Sequence, residues 1–139
     1  MPGLRMASMN AALPTGLFTS RRGDWRTPKE LYRVLVIDAG RFDVSDRHAD
    51  KFDALKDAWP NHWFCNPPYG RRISQWTSRM GIDSWPSGVA LLPARTDTRW
   101  FHRDILPYAR IEFLKGRLHF DDNGPAPFPS MLCWFGGEK

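Results

Sequence analysis

The four residues Asn66-Pro67-Pro68-Tyr69 carry the clearest chemical signal in the chain. They follow a short apolar run, His62-Trp63-Phe64-Cys65, that predicts a buried strand, and they precede a helical stretch. Two prolines cannot continue a hydrogen-bonded ladder, so the strand must end there. In an open α/β sheet, ligands bind at the carboxyl ends of strands. The side-chain oxygen of Asn66 and the carbonyl of Pro67 are acceptors suited to the hydrogens of a planar amine. Such an amine is a weak nucleophile, because its lone pair is delocalised into the ring that bears it. Two fixed acceptors favour the pyramidal geometry as attack begins, with little need for a strong base. Pro68 stiffens the turn, and the Tyr69 ring can stack on the heterocycle. The plain structural alternative is a rigid strand-ending turn with Tyr69 packed inward.

Other elements must place this turn. Residues 1–23 mix Gly, Pro, Ser, Thr and Arg without periodicity and read as a flexible arm. A single domain, 24–139, follows. Thr27-Pro28-Lys29-Glu30 has the form of a capping box, with Thr27 at N-cap, Pro28 at N1 and Glu30 at N3. Leu31, Val34 and Leu35 then recur at helical spacing up to Gly40. Phe42–Ser45 is a candidate strand, and Asp50–Ala58 a candidate helix ended by Pro60. Ile73–Met80 is predicted helical, with a break at Gly81. Gly88–Leu92 is a continuous apolar run closed by Pro93, as expected of a central parallel strand. Thr98–Leu106 predicts a helix stopped by Pro107. Arg110–Leu114 and Arg117–Phe120 flank Lys115-Gly116 as a hairpin or tight turn. A loop with Pro125, Pro127 and Pro129 leads to a last strand, Met131–Phe135. Alternating strand and helix signals predict a parallel α/β sheet with an antiparallel C-terminal edge.

Composition bounds the possibilities. A chain of 139 residues, 42% of them hydrophobic, suffices for one domain with one core. Seven Trp and nine Phe leave aromatics for stacking as well as for the core. A net charge of +5 suits an acidic partner such as nucleic acid. Cys65 and Cys133 each sit inside an apolar run, which predicts buried, reduced thiols. No close Cys or His pair offers a metal site. No apolar stretch reaches the ~18–20 residues of a membrane span, and nothing near Met1 resembles a secretory signal. A cytoplasmic protein is the expectation.

Several blocks together resemble the phage-type DNA N6-adenine methyltransferases. They are Asp24-Trp25-Arg26-Thr27-Pro28 with Leu31, Phe42 through Leu55, Trp63 through Gly70, and Leu91 through His102. Arg110 through Leu118 and Ala126 through Ser130 complete the set. The resemblance implies a Rossmann-like methyltransferase fold, S-adenosylmethionine as cofactor and DNA as substrate. It implies a phage or prophage setting, hence the host cell cytoplasm. Asn66 and the Pro67 carbonyl would hold the adenine N6 amine, and Tyr69 would stack on the flipped-out base.

For the cofactor, the resemblance points to Trp25, Thr27 and Pro28 as an N-terminal contacting segment, together with Asn66. Enzymes of this type usually carry a Gly-rich loop after the first strand, but Phe42 through Ala49 contains no glycine. Asp46 is the match to the acidic residue of the phage-type version of this loop, and Asp43 is the competing choice. Arg95 and Arg99 would contact phosphate or substrate, and Lys115 and Arg117 the nucleic-acid backbone. An ordinary solvated face is the other reading of these basic residues. Two further functions stay open. One is methylation of a protein glutamine amide, which the same tetrapeptide serves. The other is a non-catalytic nucleic-acid-binding protein on the same fold.

Overall fold

The computed structural model describes residues 26–45, 52–83, 87–120 and 124–137. The expected arm, 1–23, lies outside them. Five strands form one sheet: β1 (Phe42–Asp43), β2 (Trp63–Cys65), β3 (Ser87–Pro93), β4 (Arg110–Phe113) and β5 (Ser130–Gly136). Their order is β1-β2-β3-β5-β4. β1, β2 and β3 are parallel, and β5 runs antiparallel to both of its neighbours. β4 therefore points the same way as β1–β3.

The C-terminal strand is antiparallel, as expected, but it is not the edge. Burial explains why. Six of the seven residues of β5 are buried, whereas β4 has exposed residues at both ends. A strand buried along its length needs neighbours on both sides, while a partly exposed one suits an edge.

The period of two along each strand builds a core on either face. Trp63, Cys65, Ala90, Leu92, Met131, Cys133 and Phe135 share one face. Phe64, Val89, Leu91, Leu132 and Trp134 share the other. The first face is covered by α2 (Ile73–Asp83), through Ile73 and Met80, and by a π-helical segment Phe101–Ile105. The buried Asp104 carboxylate joins these two covers, accepting from Thr77 Oγ1 at 2.8 Å. The second face is covered by α1 (Lys29–Tyr32) with its π-helical continuation Arg33–Asp38, through Leu31, Leu35 and Val36. Cys65 and Cys133 lie on either side of Ala90 in the sheet, both buried and both free thiols.

Local pattern and structure part in four places. Residues 52–58 form turns, not a helix. Side chains claim the Ala54 carbonyl that a helix would use, Trp59 Nε1 and Arg79 Nη1 both donating to Ala54 O at 2.8 and 2.7 Å, and Arg79 Nη2 also donates to Asp57 O at 2.6 Å. Arg117–Phe120 is not a strand and does not pair with β4. Gly116 does turn the chain, with φ +76°, but Leu118 then enters the second core and its carbonyl accepts from Ala126 N at 2.8 Å. α2 runs through Gly81 to Asp83 rather than stopping at Met80. Finally, Pro28 rather than Thr27 stands at the cap of α1, and no side chain caps it. Glu30 bonds to Arg33 at 2.8 Å instead of closing a capping box.

Candidate active site at the carboxyl ends of the strands

Because β1, β2 and β3 are parallel, the segments after them emerge on one side of the sheet. These are Val44-Ser45, Asn66-Pro67-Pro68-Tyr69 and Ala94-Arg95. β4 shares their direction, so Lys115 and Arg117 leave on the same side. They lie two strand spacings beyond β3, or about 10 Å across the sheet.

A continuous hydrogen-bond chain links the ends of β1 and β2. Asp43 Oδ1 accepts from Ser45 N at 2.9 Å and from Ser45 Oγ at 2.6 Å. Ser45 Oγ in turn accepts the backbone N–H of Asn66 at 3.0 Å. Asn66 Nδ2 donates to Thr27 Oγ1 at 3.0 Å. The first of these contacts is an Asx-turn, which an Asp two residues before a Ser readily forms. With Nδ2 bonded to Thr27, Oδ1 becomes the acceptor end of a fixed amide. Thr27 is thus drawn away from its expected capping role and into contact with the Asn66 side chain. Pro28, also expected near the cofactor, is buried, and its carbonyl accepts Tyr32 N at 2.8 Å.

In the Asn-Pro-Pro-Tyr turn, Pro67 is buried and Pro68 exposed. Tyr69 is partly buried. Its hydroxyl donates to Leu91 O at 3.1 Å, one residue past the last β2–β3 pair, Cys65↔Ala90. Its ring meets Phe128 edge-on, with centroids 5.4 Å apart. Burial pushes the phenol well above the ordinary tyrosine range, and the thiols of Cys65 and Cys133 add to the shift. Burial likewise raises both thiols. None of the three is therefore ionised near neutral pH, and none is a nucleophile or a base there.

Arg95 is exposed, with its guanidinium 5.7 Å from the centroid of Phe128. The loop carrying Phe128 is fastened to the end of β3 by Ala94 N donating to Pro129 O at 2.8 Å. Tyr69, Phe128 and Arg95 thus form one contiguous aromatic and cationic wall. Arg99 is exposed at the start of the helical turn that leads into Phe101–Ile105, and Thr98 Oγ1 caps that turn through Phe101 N at 3.3 Å. Lys115 and Arg117 are exposed, and Arg117 Nη1 donates to Ala126 O at 3.4 Å.

Of the residues expected from the sequence, Thr27, Asp43, Asn66, Tyr69 and Arg95 gather at the ends of three adjacent strands. Arg99 and Lys115 are exposed, Arg117 bonds to Ala126 of the loop that carries Phe128, and Trp25 and Asp46 fall outside the described residues. Two contributors escaped the sequence reading. The spacing Asp43-x-Ser45 could have revealed Ser45. Phe128, set between Pro127 and Pro129, gave no local signal of contact with Tyr69.

Among the described residues, no group of three or more His, Cys, Asp or Glu side chains could hold a metal ion. No described helix is long and apolar enough to cross a membrane. No curated protein and no solved structure matches the chain. A family model, described as DNA N-6-adenine-methyltransferase (Dam), matches residues 15–127. That span contains the whole network from Thr27 through Asp43 and Ser45 to Asn66, together with Tyr69 and Arg95, and so the chain belongs to the Dam family of DNA N-6-adenine methyltransferases.

Proposed function

We propose that this chain transfers a methyl group from S-adenosylmethionine to the N6 amine of adenine in DNA: the new N–C bond forms as the S–CH3 bond breaks, S-adenosylhomocysteine leaves, and the nitrogen gives up one proton to solvent. The observation that carries the reading is the placement of Asn66. It stands at the first position past β2, with its backbone held by Ser45 and its side-chain amide by Thr27. Family membership supplies the reaction class.

The donor set at the strand ends fits the cofactor. Asp43 offers an anionic acceptor at the end of β1, and Thr27 and Asn66 offer a hydroxyl and an amide one strand over. These suit the ammonium and ribose hydroxyls of a nucleoside joined to an amino acid. Asp43, Thr27 and Asn66 would hold the cofactor, joined by Trp25, Pro28 and Asp46 of the expected set. When bound, the cofactor supplies an electrophilic methyl group.

The chain's own residues act on the amine. Asn66 Oδ1 and the Pro67 carbonyl accept its two hydrogens and stabilise the pyramidal nitrogen that develops in the transition state. The Pro67 carbonyl belongs to a proline-stiffened backbone and the Asn66 amide is held by Thr27, so little reorganisation is needed. The Tyr69 ring supplies a stacking plane for an extruded base, and Arg95 a positive charge beside it. Lys115, Arg117 and Arg99 extend positive charge along the same side of the sheet, for phosphate contacts that position without reading sequence.

Calorimetry with S-adenosylmethionine, followed by mass spectrometry of incubated DNA, tests the proposal. The expected result is saturable cofactor binding and N6-methyladenine in the DNA. A folded chain that binds no cofactor at millimolar concentration, or leaves adenine unmodified, overturns it.

A further inference from the structure

Ser45 occupies a junction with no assigned role. Its hydroxyl donates to Asp43 Oδ1 at 2.6 Å and accepts the Asn66 N–H at 3.0 Å. Its own N–H donates to the same carboxylate oxygen at 2.9 Å. A serine hydroxyl has one hydrogen and two lone pairs. Here the hydrogen is committed to a carboxylate in a short, charge-assisted bond, which fixes the rotor and aims a lone pair at Asn66.

The location gives this contact its consequence. β1 ends at Asp43, and the last backbone bond between the two strands runs from Val44 N to Phe64 O at 2.9 Å. The N–H of Asn66 lies beyond that ladder. The Ser45 side chain takes the place of a strand carbonyl, so the position of Asn66 is set from β1 as well as from β2.

We infer that Ser45 is a positioning residue that registers Asn66 against the donor-holding end of β1. Asp43 meets the methyl donor and Asn66 meets the amine, and the Ser45 hydroxyl is bonded to both residues. It holds the two halves of the reaction at a fixed separation. This role rests on the methyl-transfer reading above.

Two substitutions in the full chain test it. Ser45→Ala removes both side-chain bonds, and Ser45→Thr keeps a hydroxyl. In cofactor-free protein, loss of one net hydrogen bond should quicken exchange of the Asn66 amide on the order of tenfold in Ser45→Ala, with Ser45→Thr close to wild type. With S-adenosylmethionine and DNA, kcat should fall about 10–100-fold in Ser45→Ala while KM for the cofactor moves less than about threefold, because a misplacement on the order of 1 Å costs up to ~10² in rate. Ser45→Thr should recover most of kcat.

Wild-type turnover by Ser45→Ala, or unchanged exchange at Asn66, overturns the inference. Equal losses in Ser45→Ala and Ser45→Thr, with matching falls in Tm, overturn it in favour of a general structural role. A wild-type chain that transfers no methyl group overturns the functional reading itself and the role of Ser45 with it. An active wild type beside an equally active Ser45→Ala sinks the role of Ser45 alone.

Discussion

Asn66 and Thr27 lie 39 residues apart in sequence and are joined by one hydrogen bond, from Asn66 Nδ2 to Thr27 Oγ1, at 3.0 Å. The bond explains why Thr27 does not cap α1. It also gives the segment before α1 a direct hold on the residue proposed to meet the substrate amine. Thr27→Val preserves shape and removes the acceptor. Turnover should drop about tenfold, the equivalent of one hydrogen bond of ~1–1.5 kcal/mol. Thr27→Ser should stay close to wild type. Losing a true N-cap would instead lower stability by about 1 kcal/mol. Turnover assays beside thermal melts distinguish the two: an unimpaired but destabilised Thr27→Val would restore the capping role.

Asn66→Ala removes the acceptor itself. If Asn66 acts on the amine in the transition state, methyl transfer should fall by roughly 10²–10³. Cofactor affinity should change far less, since Asn66 is one of several groups proposed to hold the cofactor and Asp43 and Thr27 remain. Single-turnover kinetics and calorimetry on the same variant measure the two effects separately. A variant with near wild-type turnover would place the chemistry elsewhere.

The parts of this structure that were legible in the sequence are those fixed by neighbours along the chain. Gly88–Leu92 and Met131–Phe135 are unbroken apolar runs, and both are buried central strands, in β3 and β5. Pro67 and Pro68 end β2 for a reason that needs no tertiary context. The failures come where distant groups compete for backbone or side-chain bonds. Ala54 loses its helical carbonyl to Trp59 and Arg79, and Thr27 gives up its cap for Asn66. β4 finds its partner in β5 rather than in the adjacent Arg117–Phe120, because pairing with a buried strand outweighs a short hairpin. In the candidate site, Asn66 and Tyr69 were legible as types in a motif. Of their holders, Ser45 was signalled only by its spacing from Asp43, while its bond to Asn66 and the contact of Phe128 with Tyr69 run across the fold.

Tyr69 is fastened twice, its hydroxyl to Leu91 O and its ring crosswise against Phe128. The sequence alone suggests that the ring suffices and that Tyr69→Phe is nearly neutral. The hydroxyl bond changes that expectation. Tyr69→Phe leaves a strand carbonyl without its partner, which costs about 1–3 kcal/mol of stability. Its kcat/KM should fall only a few-fold, since base stacking survives. Tyr69→Ala loses the stacking plane too, worth ~1–3 kcal/mol per base, and should lose one to two orders of magnitude in kcat/KM. Denaturant titration and steady-state kinetics on both variants check this. A Phe variant as impaired catalytically as Ala would mean that the tether, not the ring, sets activity.

Stability should decline on the alkaline side. Burial raises the Cys65 and Cys133 thiols and the Tyr69 phenol above their ordinary values. In the unfolded chain these groups ionise from about pH 8.5 for thiols and about pH 10 for the phenol. Between the unfolded and folded values, the native state binds more protons, so raising the pH favours unfolding. The contribution is complete below the unfolded values and is lost as pH climbs through the window above them. Tm measured from pH 7 to 11 should be flat at first and then fall. Cys133→Ala should fall less steeply above about pH 9, by up to ~1.4 kcal/mol per pH unit for the group removed. Parallel curves for wild type and Cys133→Ala would rule out this thiol as a contributor.

The last prediction concerns the floor beneath the site. Trp63 pairs with Gly88 in the β2–β3 register, and its indole lies over the position a side chain at 88 would occupy. Trp63 is fully buried between Trp59 and Phe135, with ring centroids at 4.9 and 5.5 Å, so it has nowhere to withdraw. Gly88→Ala must therefore push apart β2 and β3 or force Trp63 off its rotamer. Overpacking a filled core costs about 1–3 kcal/mol, and a site this crowded should reach the upper end. Urea unfolding should show a lower midpoint with an unchanged slope, the mark of a stability change in a two-state domain. Because Asn66 stands only three residues beyond Trp63, surviving folded protein should also turn over more slowly. Trp63→Phe combined with Gly88→Ala frees space where the methyl group must go, and it should be less destabilised than the sum of the two single changes. Strict additivity would show that the indole is not what makes glycine necessary at 88.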